Sequence, residues 1–214
     1  MGTVNEARQE CIQNMSHPSF SSYLKMLSSL LKHKGVWLQQ ESQDLAHLCQ
    51  IYGRQLNLSH ADRKILLMAA YCKNLGALYI SDYLLEHEFR DHRHMMTALS
   101  PWFVESVRIA QESDLPEVAT ILAQYHLRKV PKYKLARIFQ VLNTWVACQQ
   151  ERGWRHPMSE RETRLILQQR ARLRWSDPLI VRHFVHFFDQ SGELFRRPQF
   201  VEEAIISSAS QAIT

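Results

Sequence analysis

From Phe20 to Phe188 the apolar residues recur at three- and four-residue intervals, and nowhere do they alternate over a strand's length. That period puts one face of a helix against a core, and a chain carrying only that period has few folds open to it. Six glycines and seven prolines in 214 residues leave little turn chemistry for a β fold. With 45% hydrophobic residues the chain can build a sizeable core. No apolar run approaches the roughly 20 residues of a membrane span. The expectation is an all-α protein without a membrane span.

Individual helices follow from pattern and caps. Phe20, Tyr23, Leu24, Leu27, Leu30 and Leu31 define an amphipathic helix after Pro18. A second runs from about Gln43 to Leu56, with Leu45, Leu48, Cys49 and Tyr52 inward. Ser59-x-x-Asp62 opens Lys64 to Tyr71, and Ser81-Asp82 opens a short helix holding Tyr83, Leu84 and Leu85. Asp114-x-x-Glu117, with Pro116, starts a helix to about Leu127. Pro131 opens one carrying Leu135, Ile138, Phe139, Leu142 and Trp145. Ser159-x-x-Glu162 caps one ending near Leu173, and Asp177-Pro178 starts the last, with Leu179, Ile180, Phe184 and Phe188.

Cys11, Cys49, Cys72 and Cys148 lie far apart without a C-x-x-C pair, which argues for reduced thiols and a cytoplasmic location. The N-terminus is polar and reads as no signal peptide. The formal charge is +5. Its one dense basic run, Arg161 to Arg174, reads first as a solvated helix face and second as a nucleic-acid contact.

The stretch AAYCKNLGAL, residues 69–78, ends an apolar helix on a polar turn. With its surroundings it resembles the HD-GYP family, bacterial cyclic-di-GMP phosphodiesterases of the HD superfamily. Leu56-Asn57-Leu58-Ser59 resembles that family's L-G-L-S. AAYCKNLGALYISDYLL follows its A-A-L-L-H-D-I-G-K-I-x-I-P-D-x-I-L, and Leu99-Ser100-Pro101 its x-H-P. Gln124-Tyr125-His126 falls at its H-H-E, Val130-Pro131 through Ile138 at its I-P-x-x-A-R-I-L, and Val141-Leu142-Asn143 at its V-A-D. His156-Pro157-Met158-Ser159 and Trp175-Ser176-Asp177-Pro178 resemble its R-P-M-S and F-D-P.

The resemblance covers residues 40–190, which leaves 1–39 as an N-terminal helical extension and 191–214 as a C-terminal tail. It implies a helical bundle whose metal site has been dismantled. Cys72-Lys73 stands for the H-D pair, Ala77 for the lysine of G-K, Ser100 for the histidine of H-P and Asn143 for a late aspartate. His126 alone survives from H-H-E, the first histidine falls near Glu41, and the G-Y-P loop is gone. A lysine about 4 Å from a dication would be repelled by roughly 8 kcal/mol at an effective dielectric of 20. The resemblance therefore implies no catalytic residue, no metal and no cofactor.

Three functions are compatible with such a chain. The first is an inactive regulatory protein of bacterial signalling that works by protein–protein contact. The second is a metal-free receptor for cyclic-di-GMP or a related nucleotide, held without hydrolysis by Lys73 and Arg137 in the vestigial pocket, although the simpler reading of Lys73 is that it reaches solvent or pairs with Glu41. The third is a nucleic-acid-associated regulator using the Arg161 to Arg174 face. The stripe of Phe20, Tyr23, Leu24, Leu27, Leu30 and Leu31 must be covered by a partner, by a second copy in a homodimer, or by its own core. His87, His92 and His94, and the pair His183 and His186, invite a metal reading but read first as surface and half-buried histidines. Cys72 beside Lys73 invites a thiol nucleophile, yet adjacent helix residues point apart, so a packed thiol is the simpler reading.

Overall fold

The computed structural model describes residues 19–191, and the chain is all-α. Helices α1 (Phe20–Lys34), α2 (Val36–Gln55) and α3 (His60–Cys72) lead into a 3-10 helix, Leu75–Tyr79. Short helices α4 (Asp82–Glu86) and α5 (His92–Ala98) follow. Then come α6 (Ser100–Glu112), α7 (Pro116–Leu122), α8 (Lys134–Gln149), α9 (Glu160–Arg172) and α10 (Pro178–Ser191). Among the described residues the β pairing is a single bridge between Arg152 and Arg155. None of the described helices is long and apolar enough to cross a membrane. The first 18 residues, with Pro18 and Cys11, and the tail from 192 on lie outside the described residues.

Helices α2, α3 and α8 supply half of the buried apolar residues. Leu38, Leu45, Tyr52, Leu66, Leu67, Leu135, Ile138 and Phe139 are essentially without exposure. Helix α10 closes one side through aromatic contacts: Tyr52 meets Phe184 at 5.3 Å, and Trp145 meets Phe188 at 4.3 Å.

Helix α1 joins this core, so its apolar stripe is split. Leu24, Leu27 and Leu31 are buried against the rest of the chain, while Tyr23 and Leu30 remain exposed. Phe20 is partly covered, with the Lys64 ammonium 5.5 Å from its ring centre. The stripe expected as a docking or dimer surface is therefore half consumed internally. Lys34 ties the end of α1 to the 3-10 helix by donating to the Ile80 carbonyl at 2.6 Å and to Asp82 at 2.5 Å.

Several caps form as the sequence indicates. Ser59 and Ser81 accept from backbone N–H groups, and Ser159 and Glu162 complete a full capping box. Asp114 does not cap. It takes a left-handed φ of 54°, a conformation Asp tolerates better than most residues, and Leu115 occupies the cap position. Helix α7 stops at Leu122, earlier than Leu127, because Gln124 turns to accept from the N–H groups of Lys132 and Tyr133. Helix α2 starts at Val36, and α5 and α6 lie where the sequence reading placed no helix.

Candidate functional site

Helix α3 ends at Cys72, and the two polar residues that follow turn inward. Lys73 is 3% exposed and Asn74 has no exposure at all. The Lys73 ammonium lies 2.9 Å from Glu41 Oε2 and donates to Asn74 Oδ1 at 2.9 Å. Glu41 is itself fully buried on α2. Asn74 Nδ2 lies within hydrogen-bond distance of the Leu38 carbonyl, Glu41 Oε2 and Ser42 Oγ, at 3.2, 3.2 and 3.0 Å. The other carboxylate oxygen, Oε1, accepts from Arg152 Nη2. One buried carboxylate thus bridges two cations that lie far apart in the sequence.

The turn is held from behind by α6. Trp102 Nε1 and Ser106 Oγ both donate to the Lys73 carbonyl, at 2.9 and 2.8 Å, and the Gly76 N–H donates to Ser106 Oγ at 2.9 Å. These bonds satisfy backbone groups that the end of α3 would otherwise leave orphaned. Gly76 makes the approach feasible: a Cβ there would sit 1.9 Å from the Trp102 carbonyl oxygen. Arg152 reaches the site from a tight turn in which Arg152 and Arg155 exchange backbone hydrogen bonds, each at 3.0 Å. Its guanidinium lies 5.6 Å from the ring centres of both Trp37 and Trp154. Trp37 in turn meets Trp102 at 5.9 Å, which closes an aromatic wall around the ion pairs.

Burial works to raise the Glu41 pKa, but Arg152, Lys73 and Asn74 outweigh it and hold the carboxyl at about 2. Burial lowers the pKa of Lys73 and Arg152 adds to this, while Glu41 opposes both. We assign the charged pair, because both Glu41 oxygens face cationic donors. Burial pushes the Cys72 thiol up to about 12, so it carries a proton at neutral pH. Tyr125 lies close enough for the Glu41 charge to add to burial in raising its pKa.

Of the residues singled out from the sequence, the structure joins Glu41 to Lys73 and packs Cys72 beside them on α3. The others lie apart from this network. Arg137 donates to the carbonyls of Pro131 and Lys132 at 2.8 and 3.1 Å and lies 3.6 Å from Asp177. Arg152, not Arg137, is the second cation at Lys73, so the pair expected to clamp a phosphate is replaced by an internal one. Ser100 is exposed and donates to the Thr97 carbonyl. His126 stacks on Phe103 at 4.7 Å, burial lowers its pKa, and its Nδ1 has no partner among the described residues. Asn143 Oδ1 is likewise buried without one.

Four of these histidines take other contacts, and the side chain of His92 lies outside what the structure describes. His183 Nδ1 lies 2.9 Å from the Tyr52 hydroxyl, and His186 Nε2 lies 3.0 Å from Gln190. His87 meets Tyr83 and Phe89, and His94 meets Phe89. Among the described residues no three His, Cys, Asp or Glu side chains come together in a metal-holding group.

Asn74 lies in the polar turn that the sequence reading singled out, but three residues of the network carry no signal there: Trp102, Ser106 and Arg152. Trp37 and Trp154, each one or two residues from a glycine, were the available pointers to a packed aromatic wall. No family model matches the chain, and neither a curated protein nor a solved structure matches it.

Proposed function

We propose that this chain is a catalytically inactive, HD-GYP-like regulatory domain that acts by binding another protein. The observation that carries the reading is the inverted polarity of the segment from Lys73 to Tyr83. Lys73 and Asn74 are buried and consumed by Glu41, whereas Leu78, Tyr79 and Tyr83 are 40%, 58% and 70% exposed, beside an exposed Asp82 that pairs with Lys34. A site for polar chemistry needs the opposite, polar donors lining a cleft. Outward aromatic residues on a rigid turn suit a protein contact, where Tyr is among the strongest anchors.

The donor chemistry agrees. A protonated thiol and an ammonium paired with the nearest carboxylate are poor ligands for a cation. In the HD-GYP reading, the Lys73 ammonium stands for the missing positive charge, and Glu41 and Asn74 hold it.

The test uses the full chain as affinity bait in extract from the source cell. Tyr79→Glu/Tyr83→Glu should keep the wild-type circular dichroism and lose its partner by about 30-fold or more, the scale of a hot-spot aromatic. Turnover of cyclic-di-GMP above a heat-killed control, or equal recovery by wild type and variant, would overturn the proposal.

A further inference from the structure

The basic surface lies apart from this network and is more sharply defined than the Arg161 to Arg174 run suggests. On α9, Arg161 and Arg172 are exposed, while Arg164 is paired with Glu160 and Asp189. Arg170 is half-buried and turns the other way, toward Trp175. Trp175 is also met by Arg128, from the loop between α7 and α8. The two guanidinium carbons lie 4.8 Å (Arg128) and 6.0 Å (Arg170) from the indole centre.

Neither arginine has a carboxylate partner among the described residues. Arg170 spends one donor, Nε, on Ser176 Oγ at 3.1 Å. Arg128 is exposed, with no side-chain hydrogen bond among the described residues. Two contacts bring their segments together: Arg128 on Trp175, and Arg137 near Asp177. Residues 128–137 contribute Arg128, Lys129, Lys132, Lys134 and Arg137, and residues 170–177 contribute Arg170, Arg172 and Arg174. Asp177 is the lone carboxylate in either segment, and it is engaged by the first N–H groups of α10 and by Arg137.

Eight cations and one carboxylate give these segments a formal charge of +7, which exceeds the +5 of the whole chain. The rest of the sequence therefore sums to a formal charge of −2. Glu117 and Asp62 are felt by Tyr133 on the same segment but form no ion pair with these cations among the described residues. Holding two guanidinium groups against one ring without a counterion is unfavourable by Coulomb's law, and an anionic ligand would relieve it. Burial and the Arg128 charge both lower the Arg170 pKa, in keeping with that crowding.

We propose that the Arg128–Trp175–Arg170 cluster, with the flanking basic segments, binds the phosphodiester backbone of a nucleic acid. Stacking on Trp175 orients two planar forks, and guanidinium geometry matches phosphate oxygens in pairs. The additional exposed lysines and arginines suit a chain of phosphates better than a single anion. The contacts are to backbone, so sequence preference is not expected.

Fluorescence anisotropy tests this on the full chain with a labelled 30-nucleotide single strand, its duplex and labelled cyclic-di-GMP. At 50 mM salt the strand or duplex should bind, and affinity should fall steeply by 200 mM. Arg128→Ala/Arg170→Ala should weaken binding at least tenfold and lower the salt slope by roughly one per lost cation. Because Arg170 is half-buried, Arg128→Glu/Lys129→Glu, both exposed, is the second variant and should weaken binding at least as much. Lys25→Ala/Lys32→Ala on α1 is the control and should leave it unchanged. No binding of strand or duplex at 50 mM salt would overturn the proposal, as would binding of cyclic-di-GMP alone. Equal affinity in wild type and the Arg128→Glu/Lys129→Glu variant would also overturn it.

Discussion

Arg152 and the Arg128–Arg170 pair are all held against tryptophan, but only Arg152 meets a carboxylate. Around Trp37 and Trp154, Glu41 gathers Arg152 and Lys73 into a buried network, in which Arg152 Nε is left without a hydrogen-bond partner among the described residues. Around Trp175, two guanidinium groups share a ring near the surface and keep donors free. The same residue types thus do opposite work. Charge closed by a buried carboxylate fixes a turn; charge left open at the surface is available to a partner.

The sharpest break in that comparison is Glu41→Gln. Removing the carboxylate leaves the buried Lys73 and the part-buried Arg152 facing each other, and breaking a buried ion pair costs about 3–5 kcal/mol. We expect a loss at the upper end, seen as a lower urea midpoint with an unchanged slope. Lys73→Met should cost less, about 1–3 kcal/mol, because the Glu41–Arg152 pair survives as a neutral unit and only the Asn74 contact is orphaned. A Lys73→Met loss equal to or larger than that of Glu41→Gln would show that the network is not organised around the carboxylate.

The sequence made this network only partly legible. The periodicity of Leu135, Ile138, Phe139, Leu142 and Trp145 is what one face of α8 buries, and all five lie in the core. The sequence reading placed no helix at α6, although Trp102, Phe103, Val107 and Ala110 recur at helical spacing and pack into or against the core, while Val104 is 62% exposed. The pairing of Lys73 with Glu41 is the simpler sequence reading of that lysine, and the structure has it. Arg152 was not legible: it stands 111 residues from Glu41, in a turn without periodicity. Leu179 shows the converse error, an apolar residue at helical spacing that the end of α10 leaves 67% exposed.

Acid should separate the two regions next. Glu41 is held at about 2 against an ordinary value of 4.5. A depressed folded-state value means its stabilisation is complete above pH 4.5 and is lost as pH falls toward 2, in all on the order of 3 kcal/mol. Burial lowers His126 and His47 from 6.5, so the unfolded chain takes up their protons first and stability begins to fall below that pH. Unfolding measured from pH 7 to 3 should show both phases in the wild type. His126→Gln should reduce the upper one. The basic face around Trp175 contributes to neither, so Arg128→Ala should leave the profile unchanged; a shifted profile in that variant would couple the two regions.

Salt gives the smallest and most selective effect. The Glu41 network is shielded from solvent, so added ions change its Coulomb energy little. The like charges around Trp175 lie near solvent, where raising salt from 20 to 500 mM shortens the screening length well below the size of the cluster. Sodium chloride should therefore stabilise the wild type slightly, by about 0.5 kcal/mol or less, the usual range for surface substitutions. Arg128→Ala removes the exposed member of the crowded pair and should lose most of that salt gain, while its stability at high salt stays near wild type. Thermal unfolding of both proteins at the two salt concentrations reads the difference. If the wild type shows no salt gain, or Arg128→Ala keeps all of it, the cations at Trp175 are already compensated within the chain, and the contrast with Glu41 fails.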